Sequence, residues 1–121
     1  MAERVGFIDH KGKQIIYLDF SDMQGDAMVK VVRKFEQIVM ENKAKGNLVS
    51  LTNFTNARTF GEGLEEIKRV AKAMRPHLNK RAVVGITGVK AILYKMVNLF
   101  ASGTPTKIFD TIEEAKDYLV E

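Results

Sequence analysis

Short β-rich segments alternate with amphipathic helical segments along this chain. The first two β-rich segments, residues 5–9 and 14–20, flank a polar turn that contains Gly12 and therefore predict a hairpin. Further segments with strand character lie at residues 47–54, 81–86 and 106–110. The intervening and final segments predict four helices, at residues 25–43, 62–78, 87–103 and 111–121. The predicted order of elements is ββαβαβαβα.

This alternation restricts the fold class. A strand that is followed by a helix and a parallel strand forms a crossover, so repeated crossovers predict helices packed on a mostly parallel sheet. The N-terminal hairpin adds an antiparallel strand, which makes the sheet mixed. With 121 residues the chain has the length of one domain. We therefore predict a single α/β domain, residues 1–121, with a mixed sheet of about five strands and four main helices.

Local signals indicate where the helices begin, end and bury one side. The apolar residues of the first helix recur at helical spacing and predict a buried stripe: Met28, Val31, Val32, Phe35, Ile38 and Val39. Asp26 is the expected cap of this helix, and Gly46 follows its end. Pro76 is expected to end or kink the second helix. Thr111 and Glu114 have the spacing of a capping box at the start of the last helix.

The composition excludes several kinds of chemistry. The chain has no cysteine, which rules out disulfides, thiol catalysis and cysteine-bound metals, and is consistent with a cytoplasmic protein. Neither histidine has a second metal ligand at helical spacing. Phosphate-loop, dinucleotide-binding and serine-hydrolase motifs are absent from the sequence. We therefore expect no catalytic residues, no metal, no cofactor and no enzyme activity, and no apolar run is long enough for a transmembrane segment.

The basic residues are concentrated in one part of the chain. No Asp or Glu occurs between Ile67 and Phe109, whereas nine Lys or Arg residues do. A stretch of one sign can attract an anion, an acidic partner or an anionic lipid surface. It can equally consist of solvated helix faces whose acidic neighbours come from elsewhere in the fold. Nucleic acid is not expected as a partner, because aromatic residues are not interleaved with these charges and no reader motif is present.

Four segments in this order resemble the STAS domains, specifically the small bacterial SpoIIAA-like branch grouped with the Sec14 (CRAL-TRIO) lipid-binding fold. The segments are IIYLDFSD, NLVSLTNFTNAR, KRAVVGITGVKAIL and TKIFDTIEEAKDYL. The resemblance implies a regulatory binding protein without enzyme activity. Members of the anti-sigma-factor-antagonist type bind a partner kinase and are switched by phosphorylation in an Asp-Ser-Ser/Thr-Gly stretch. This chain lacks that stretch and has Thr55 and Thr59 as the nearby hydroxyl groups, so these two are the candidate phosphorylation sites.

The carboxyl ends of the predicted parallel strands indicate where a ligand or partner would bind. In open α/β sheets, ligands bind beyond these ends, and the following helix N-termini favour anions. The loops here supply the candidate binding residues Asn53, Thr55, Asn56, Arg58, Gly85, Thr87 and Gly88. Ordinary structural roles remain open for them. Threonine and asparagine are common in turns and caps, and Gly85 also suits close packing of a strand end against a helix.

The predicted third helix is apolar around most of its circumference. Leu93, Met96, Val97 and Phe100 are candidates to line an apolar cavity. The same helix could form a homodimer contact, touch a membrane beside Lys90 and Lys95, or lie between the sheet and the last helix.

From the resemblance and the loops at the strand ends, the leading hypothesis is a cytoplasmic regulatory module that binds a protein partner at the loop of residues 53–63. The alternative is a carrier or sensor of a small apolar, anionic or lipid ligand.

Overall fold

A computed structural model describes residues 4–57, 62–85 and 106–121 of the chain. The strands in these ranges are β1 (Val5–His10), β2 (Lys13–Asp19), β3 (Leu48–Asn53), β4 (Leu78–Val84) and β5 (Thr106–Phe109). The α-helices in these ranges are α1 (Ala27–Asn42), α2 (Glu62–Met74) and α3 (Ile112–Leu119). Short 3₁₀ turns, Lys43–Lys45 and Arg75–His77, follow α1 and α2. The predicted helix at residues 87–103 lies outside the described residues.

The five strands form one mixed sheet in the order β1-β2-β3-β4-β5. The hairpin strands β1 and β2 are antiparallel, and the pairs β2–β3, β3–β4 and β4–β5 are parallel. This confirms the predicted α/β fold with its mostly parallel sheet and N-terminal hairpin. Because β2, β3 and β4 are adjacent and parallel, their carboxyl ends lie side by side at one edge of the sheet.

Strand β4 begins at Leu78, three residues before the predicted start at residue 81. Its first residue pairs with Leu48, and the register then shifts, so that Val49 pairs with Lys80. Because Asn79 and Lys80 are polar, the pattern of apolar residues did not indicate that the strand begins before them. A β-bulge permits such residues at the start of a strand because it interrupts the regular alternation of faces.

Helices cover both faces of the sheet. On one face α1 and α2 pack against residues such as Ile16, Leu18 and Val83, and on the other face α3 packs against Ile15, Leu51 and Val84. The predicted stripe of α1 is confirmed, since all six of its residues are buried in the first of these cores. Every residue of β3 is buried, because helices cover both faces of the sheet at this strand.

The helix termini confirm two of the predicted signals and correct a third. Helix α2 ends at Met74 and Pro76 lies in the 3₁₀ turn that follows, as expected. At α3 the hydroxyl of Thr111 accepts a hydrogen bond from the backbone N–H of Glu114 at 3.2 Å. Asp26, in contrast, makes no side-chain cap for α1. Its backbone is helical, with φ −65° and ψ −25°, and a capping side chain requires an extended backbone at that position.

An ion-pair network joins the outer surfaces of α1 and α2. Glu66 accepts hydrogen bonds from Arg69 (Nε–Oε1, 2.7 Å) and from Arg33 (Nε–Oε2, 2.6 Å). Arg69 also donates to Glu36 at 2.9 Å. The hydrogen bonds from Arg69 and then Arg33 lower the pKa of Glu66 to about 2. The network therefore holds the two helices in register on the face of the sheet that they share.

This network gives a pH dependence with a defined sign. Because the pKa of Glu66 is lowered on folding, its contribution is present above the unfolded-state pKa of 4.5 and is lost as the pH falls toward 2. In the Glu66→Gln variant we expect a weaker decline of unfolding free energy over that interval, measured by urea denaturation at several pH values. Glu65→Gln is the matched control, since Glu65 is largely exposed. Equal acid sensitivity of the wild type and Glu66→Gln would contradict the expectation.

Candidate functional site

The carboxyl ends of β2, β3 and β4 are tied together by main-chain hydrogen bonds. Phe20 N–H donates to the carbonyl of Asn53, and Phe54 N–H donates to the carbonyl of Val84, both at 2.9 Å. Two residues further along both segments, Asp22 N–H donates to the carbonyl of Thr55 at 2.9 Å. We call this region the carboxyl edge and define it as residues 20–26, residues 53–57 and Gly85. The loops of the carboxyl edge are thus joined to one another by main-chain hydrogen bonds.

The side-chain amide of Asn53 organises this edge from inside. Asn53 is 8% exposed. Its Oδ1 accepts from the backbone N–H of Thr55 at 3.0 Å and from the Thr55 hydroxyl at 2.6 Å. Its Nδ2 donates to the hydroxyl oxygen of Tyr17 at 3.0 Å. One buried amide therefore connects an exposed threonine to a tyrosine on the neighbouring strand.

Tyr17 completes this connection on the α3 side of the sheet. Burial raises the pKa of the Tyr17 hydroxyl, an effect that the hydrogen bond from Asn53 partly opposes and the charge of Asp19 reinforces. A raised pKa keeps the hydroxyl neutral at physiological pH, so its oxygen accepts from Asn53 while its proton remains in place. The chain Tyr17–Asn53–Thr55 is therefore a neutral network that crosses from the sheet interior to the surface.

Two polar residues of the edge have left-handed backbone conformations. Asp22 has φ 59° and Asn56 has φ 57°, and Asn56 Nδ2 donates to Asp22 Oδ1 at 3.2 Å. Aspartate and asparagine tolerate this conformation better than other residues with a side chain. Thr55 and Asn56 are both exposed. The edge thus presents polar groups to solvent in a fixed arrangement.

Gly85 lies directly against the loop after β3. Its φ is +80°, and a Cβ at this position would lie 2.7 Å from the Cα of Thr55 and closer still to its backbone nitrogen and hydroxyl oxygen. The sequence predicted that Gly85 either contributes to binding or lets a strand end pack closely against a helix. In the described structure the close neighbour is the Thr55 loop, which only a residue without a side chain can approach in this way.

The sequence pattern missed two contributors to the edge, Tyr17 and Arg4. Arg4 donates from Nη1 to the carbonyl of Ser21 at 2.7 Å and lies 3.7 Å from Asp19 Oδ2. Asp19 Oδ1 in turn accepts from the backbone N–H of Ser21 at 2.9 Å, which fixes the first turn after β2. A strand tyrosine and a residue before β1 carry no local signal of such roles, because the contacts depend on how the strands pair.

The predicted binding residues divide into two sets. The structure brings Asn53, Thr55, Asn56 and Gly85 together at the carboxyl edge. Asn53 faces inward there, and its direct contact with a ligand remains a prediction. The other candidates lie outside the described residues: Arg58, Thr59, Thr87, Gly88, Leu93, Met96, Val97 and Phe100. Their predicted roles in binding, phosphorylation and cavity lining stay predictions.

A small cavity lies between the sheet and helices α1 and α2. Its volume is about 30 Å³, and its wall combines Phe20 and Phe54 with the polar residues Ser50, Thr52 and Arg81. A space of this size holds about one water molecule, whereas small-molecule pockets measure roughly 300–1,000 Å³. As formed by the described residues, this part of the core does not accommodate a lipid.

The described residues offer little for metal chemistry or membrane insertion. Residues 4–57, 62–85 and 106–121 contain no group of three or more His, Asp or Glu side chains suited to hold a metal ion. Within the same ranges every helix is too short or too polar to cross a bilayer. What the carboxyl edge can do with these groups is donate and accept hydrogen bonds at a fixed surface.

Comparison with known proteins places this arrangement in a fold family. No protein-family model and no curated protein matches the sequence. The structure is similar to the crystal structure of an uncharacterized protein from the DUF3478 family with a SpoIIAA-like fold, from Shewanella loihica PV-4. The similarity has a TM-score of 0.67 and 13% sequence identity, and it covers 95% of this chain and 91% of the other. The chain has a SpoIIAA-like fold.

This finding confirms the resemblance stated from the sequence at the level of fold. At 13% identity the comparison carries the SpoIIAA-like architecture and leaves the roles of individual side chains to be argued from this chain. In the SpoIIAA-like sheet described here, the carboxyl edge lies at the ends of adjacent parallel strands. That is the position at which open α/β sheets bind ligands.

The Asn53 network predicts a measurable loss of stability. In the Asn53→Ala variant the Tyr17 hydroxyl and the Thr55 N–H lose their buried partner, and each such loss costs about 1–3 kcal/mol. We expect the free energy of unfolding to fall by about 2–6 kcal/mol in urea denaturation, the sum of these two losses. Asn79→Ala is the matched control, because Asn79 is exposed and bonds only to Asn47 among the described side chains. Similar small losses in both variants would show that Asn53 does not organise the edge.

Proposed function

We propose that this protein is a regulatory binding module without enzyme activity, acting in the cytoplasm, that binds a protein partner through its carboxyl edge. The observation that supports this most directly is the way Asn53 and Gly85 fix the exposed Thr55 loop against the ends of β2 and β4. A rigid, exposed polar surface binds a partner without a large ordering cost. The small size of the neighbouring cavity favours this function over a lipid carrier that uses the same core.

Thr55 is the residue through which such a surface could be regulated. The residue is exposed, and its partly buried hydroxyl donates a hydrogen bond of 2.6 Å to Asn53 Oδ1. A phosphoryl group on this oxygen would remove that donor and bring negative charge toward Asn53 Oδ1 and the nearby Asp22 loop. In our proposal, phosphorylation of Thr55 rearranges the carboxyl edge and so changes partner binding. Thr59 remains the second candidate for modification.

Site-specific photo-crosslinking in the protein's own cells tests the proposed surface. A benzophenone amino acid at Gln24, an exposed position in the loop after β2, should give a discrete crosslinked band. The same group at Lys11, in the hairpin turn at the opposite end of the sheet, is the matched control and should not give that band. The band should weaken when Asn56→Lys is added to the Gln24 variant. Identical crosslinks from both positions, or none from Gln24, would contradict the proposal.

Mass spectrometry of the protein purified gently from the same cells tests the regulatory part. A phosphate-sized addition that survives denaturation and maps to Thr55 would support it. An unmodified mass under every growth condition in which the crosslink changes would contradict it, because binding would then vary without modification. An addition seen only under native conditions would instead identify a bound ligand.

A further inference from the structure

The strands of the sheet separate at the end opposite the carboxyl edge. Strand β2 begins at Lys13 and β3 at Leu48, but their ladder begins only at the pair Ile16 and Ser50. On the other side of β3, the register shift between Leu48 and Val49 adds a bulge. These two irregularities open a groove of about 420 Å³ at the amino ends of the strands. We call it the amino-edge groove. Its volume falls within the range of small-molecule sites.

The floor and walls of the amino-edge groove are largely apolar. Ile16, Leu48 and Leu119 line it from β2, β3 and α3, and the ring of Phe7 lines it from β1. Phe7 is 37% exposed, which makes it one of the few large apolar side chains in the described residues with substantial exposure. Ile16, Leu48 and Leu119 are buried, so an apolar body placed here would mainly cover the exposed part of the Phe7 ring.

Three lysines surround this apolar surface. Lys13, Lys45 and Lys80 line the groove, and Glu121 is the one acidic residue among the described residues that line it. Lys13 donates to the carbonyl of Val120 at 3.1 Å, and Lys80 donates to the carbonyl of Tyr118 at 3.2 Å. These bonds place both ammonium groups near the end of α3, beside the groove. Lys80 also donates to Glu121 O at 3.3 Å and lies 4.9 Å from the centroid of the Tyr118 ring. Because a lysine has three N–H donors, Lys13 has more donors left for a ligand than Lys80 has.

Lys45 differs from the other two lysines in its surroundings. It is exposed, and the contact the structure gives it is with the face of the Phe7 ring, 5.7 Å from Nζ to the ring centroid. It lies in the 3₁₀ turn after α1, whose following residue Gly46 has φ 69°. Lys45 can therefore be changed without removing a hydrogen bond that holds α3 in place.

From these observations we infer that the amino-edge groove binds a small molecule with a single negative charge on a compact apolar body, such as an aromatic carboxylate. The apolar floor would receive the body, and the three lysines would receive the carboxylate. The inference is independent of the proposed partner surface, which lies at the other end of the strands. It assigns the small anionic ligand of the alternative hypothesis to a site that the sequence did not indicate.

The test uses 2-naphthoate as probe and amide chemical shifts in ¹⁵N-labelled full-length protein as readout. We expect saturable shifts at Lys45–Val49 and at Asn79 and Lys80, and much weaker shifts with the neutral 2-naphthamide. Lys45→Glu should weaken 2-naphthoate binding about tenfold, which corresponds to about 1.4 kcal/mol. Lys34→Glu is the matched control, since Lys34 is exposed on α1 and does not line the groove. This control should leave the affinity unchanged.

A second variant tests the shape of the site without altering a charge. Gln14 is exposed and lines the groove at the start of β2, so Gln14→Trp should fill the space and abolish the shifts while cooperative urea unfolding persists. Equal binding of 2-naphthoate and 2-naphthamide would overturn the inference. So would shifts at other positions, absence of saturation, or binding of an acidic peptide but not of 2-naphthoate. None of these outcomes affects the crosslinking test at the carboxyl edge.

Discussion

The Gly85→Ala variant is expected to lose about 2–5 kcal/mol of unfolding free energy. Two costs add at this position. The backbone has φ +80°, a conformation in which a side chain costs roughly 1–2 kcal/mol. The new Cβ would also lie 2.7 Å from the Cα of Thr55, and overpacking of this kind costs about 1–3 kcal/mol. Urea denaturation of the variant and the wild type measures the sum.

Gly25→Ala separates these two costs. Gly25 has φ +54°, but a Cβ there would have no heavy atom within 4 Å. Its variant should therefore show the conformational cost alone, about 1–2 kcal/mol. The difference between the two variants reports the contact between Gly85 and the Thr55 loop. Equal losses would mean that this loop moves away freely, and the carboxyl edge would then not be rigid.

A double variant tests whether the contact involves the backbone. Truncation of the Thr55 side chain in Thr55→Gly removes the hydroxyl oxygen but leaves the backbone nitrogen and Cα close to the new methyl group. We therefore expect Gly85→Ala, when it is combined with Thr55→Gly, to remain more destabilising than Gly25→Ala, which shows the conformational cost alone. A residual loss equal to that of Gly25→Ala would show that the steric cost came only from the threonine side chain.

The parts of the fold that were predicted correctly depend on local periodicity. The buried stripe of α1 follows from spacing along a single helix, so Met28 and Phe35 could be assigned to the core without knowledge of their neighbours. The order of strands and helices follows from the same kind of pattern. The early start of β4 could not be predicted in this way, because Leu78 belongs to the strand through its pairing with Leu48, thirty residues earlier.

Contacts that depend on strand pairing were even harder to predict at the candidate site. Asn53, Thr55, Asn56 and Gly85 were selected because they follow strands, and adjacent parallel strands bring their ends together. The sequence did not indicate that Asn53 faces inward or that it bonds to Tyr17, 36 positions away in the chain. That contact depends on the register that sets Tyr17 opposite Leu51 and Asp19 opposite Asn53. The amino-edge groove depends on an interruption of pairing, for which no single residue is a signal.

The two ends of the sheet are therefore suited to different ligands. At the carboxyl edge, Asn53 and the main-chain hydrogen bonds after β2 and β3 close the gaps between strands and leave a fixed surface. At the amino edge the strands diverge and leave a concavity with lysines around it. A polar surface that is held in one arrangement can bind a protein partner at a low ordering cost, and a concave apolar site with a few charges is typical of small-molecule binding.

Arg81 places a positive charge in the apolar core. The Arg81→Met variant is expected to be more stable than the wild type by about 1–3 kcal/mol, which is the cost of burying the charge less the hydrogen bonds that the guanidinium makes. Arg81 is 4% exposed and donates to the carbonyl of Ala71 at 3.3 Å. Burial, and to a smaller extent the charge of Arg75, lowers the pKa of Arg81 from its ordinary value to about 10. Each pKa unit corresponds to 1.36 kcal/mol, so keeping this charge inside costs on the order of 3 kcal/mol at neutral pH. Methionine has a similar length without that cost.

The pH dependence identifies the cause of this gain. Because the folded protein binds the Arg81 proton less tightly than the unfolded chain, the cost is fully present below pH 10 and decreases as the pH rises from there toward the higher pKa of an arginine in the unfolded chain. The stability advantage of Arg81→Met, measured by urea denaturation, should therefore be smaller at about pH 11 than at about pH 7. Lys72→Met, which removes a charge from an exposed position of α2, should change stability by less than about 0.5 kcal/mol at either pH. A large destabilisation in Arg81→Met would show instead that the hydrogen bonds of the guanidinium outweigh its burial.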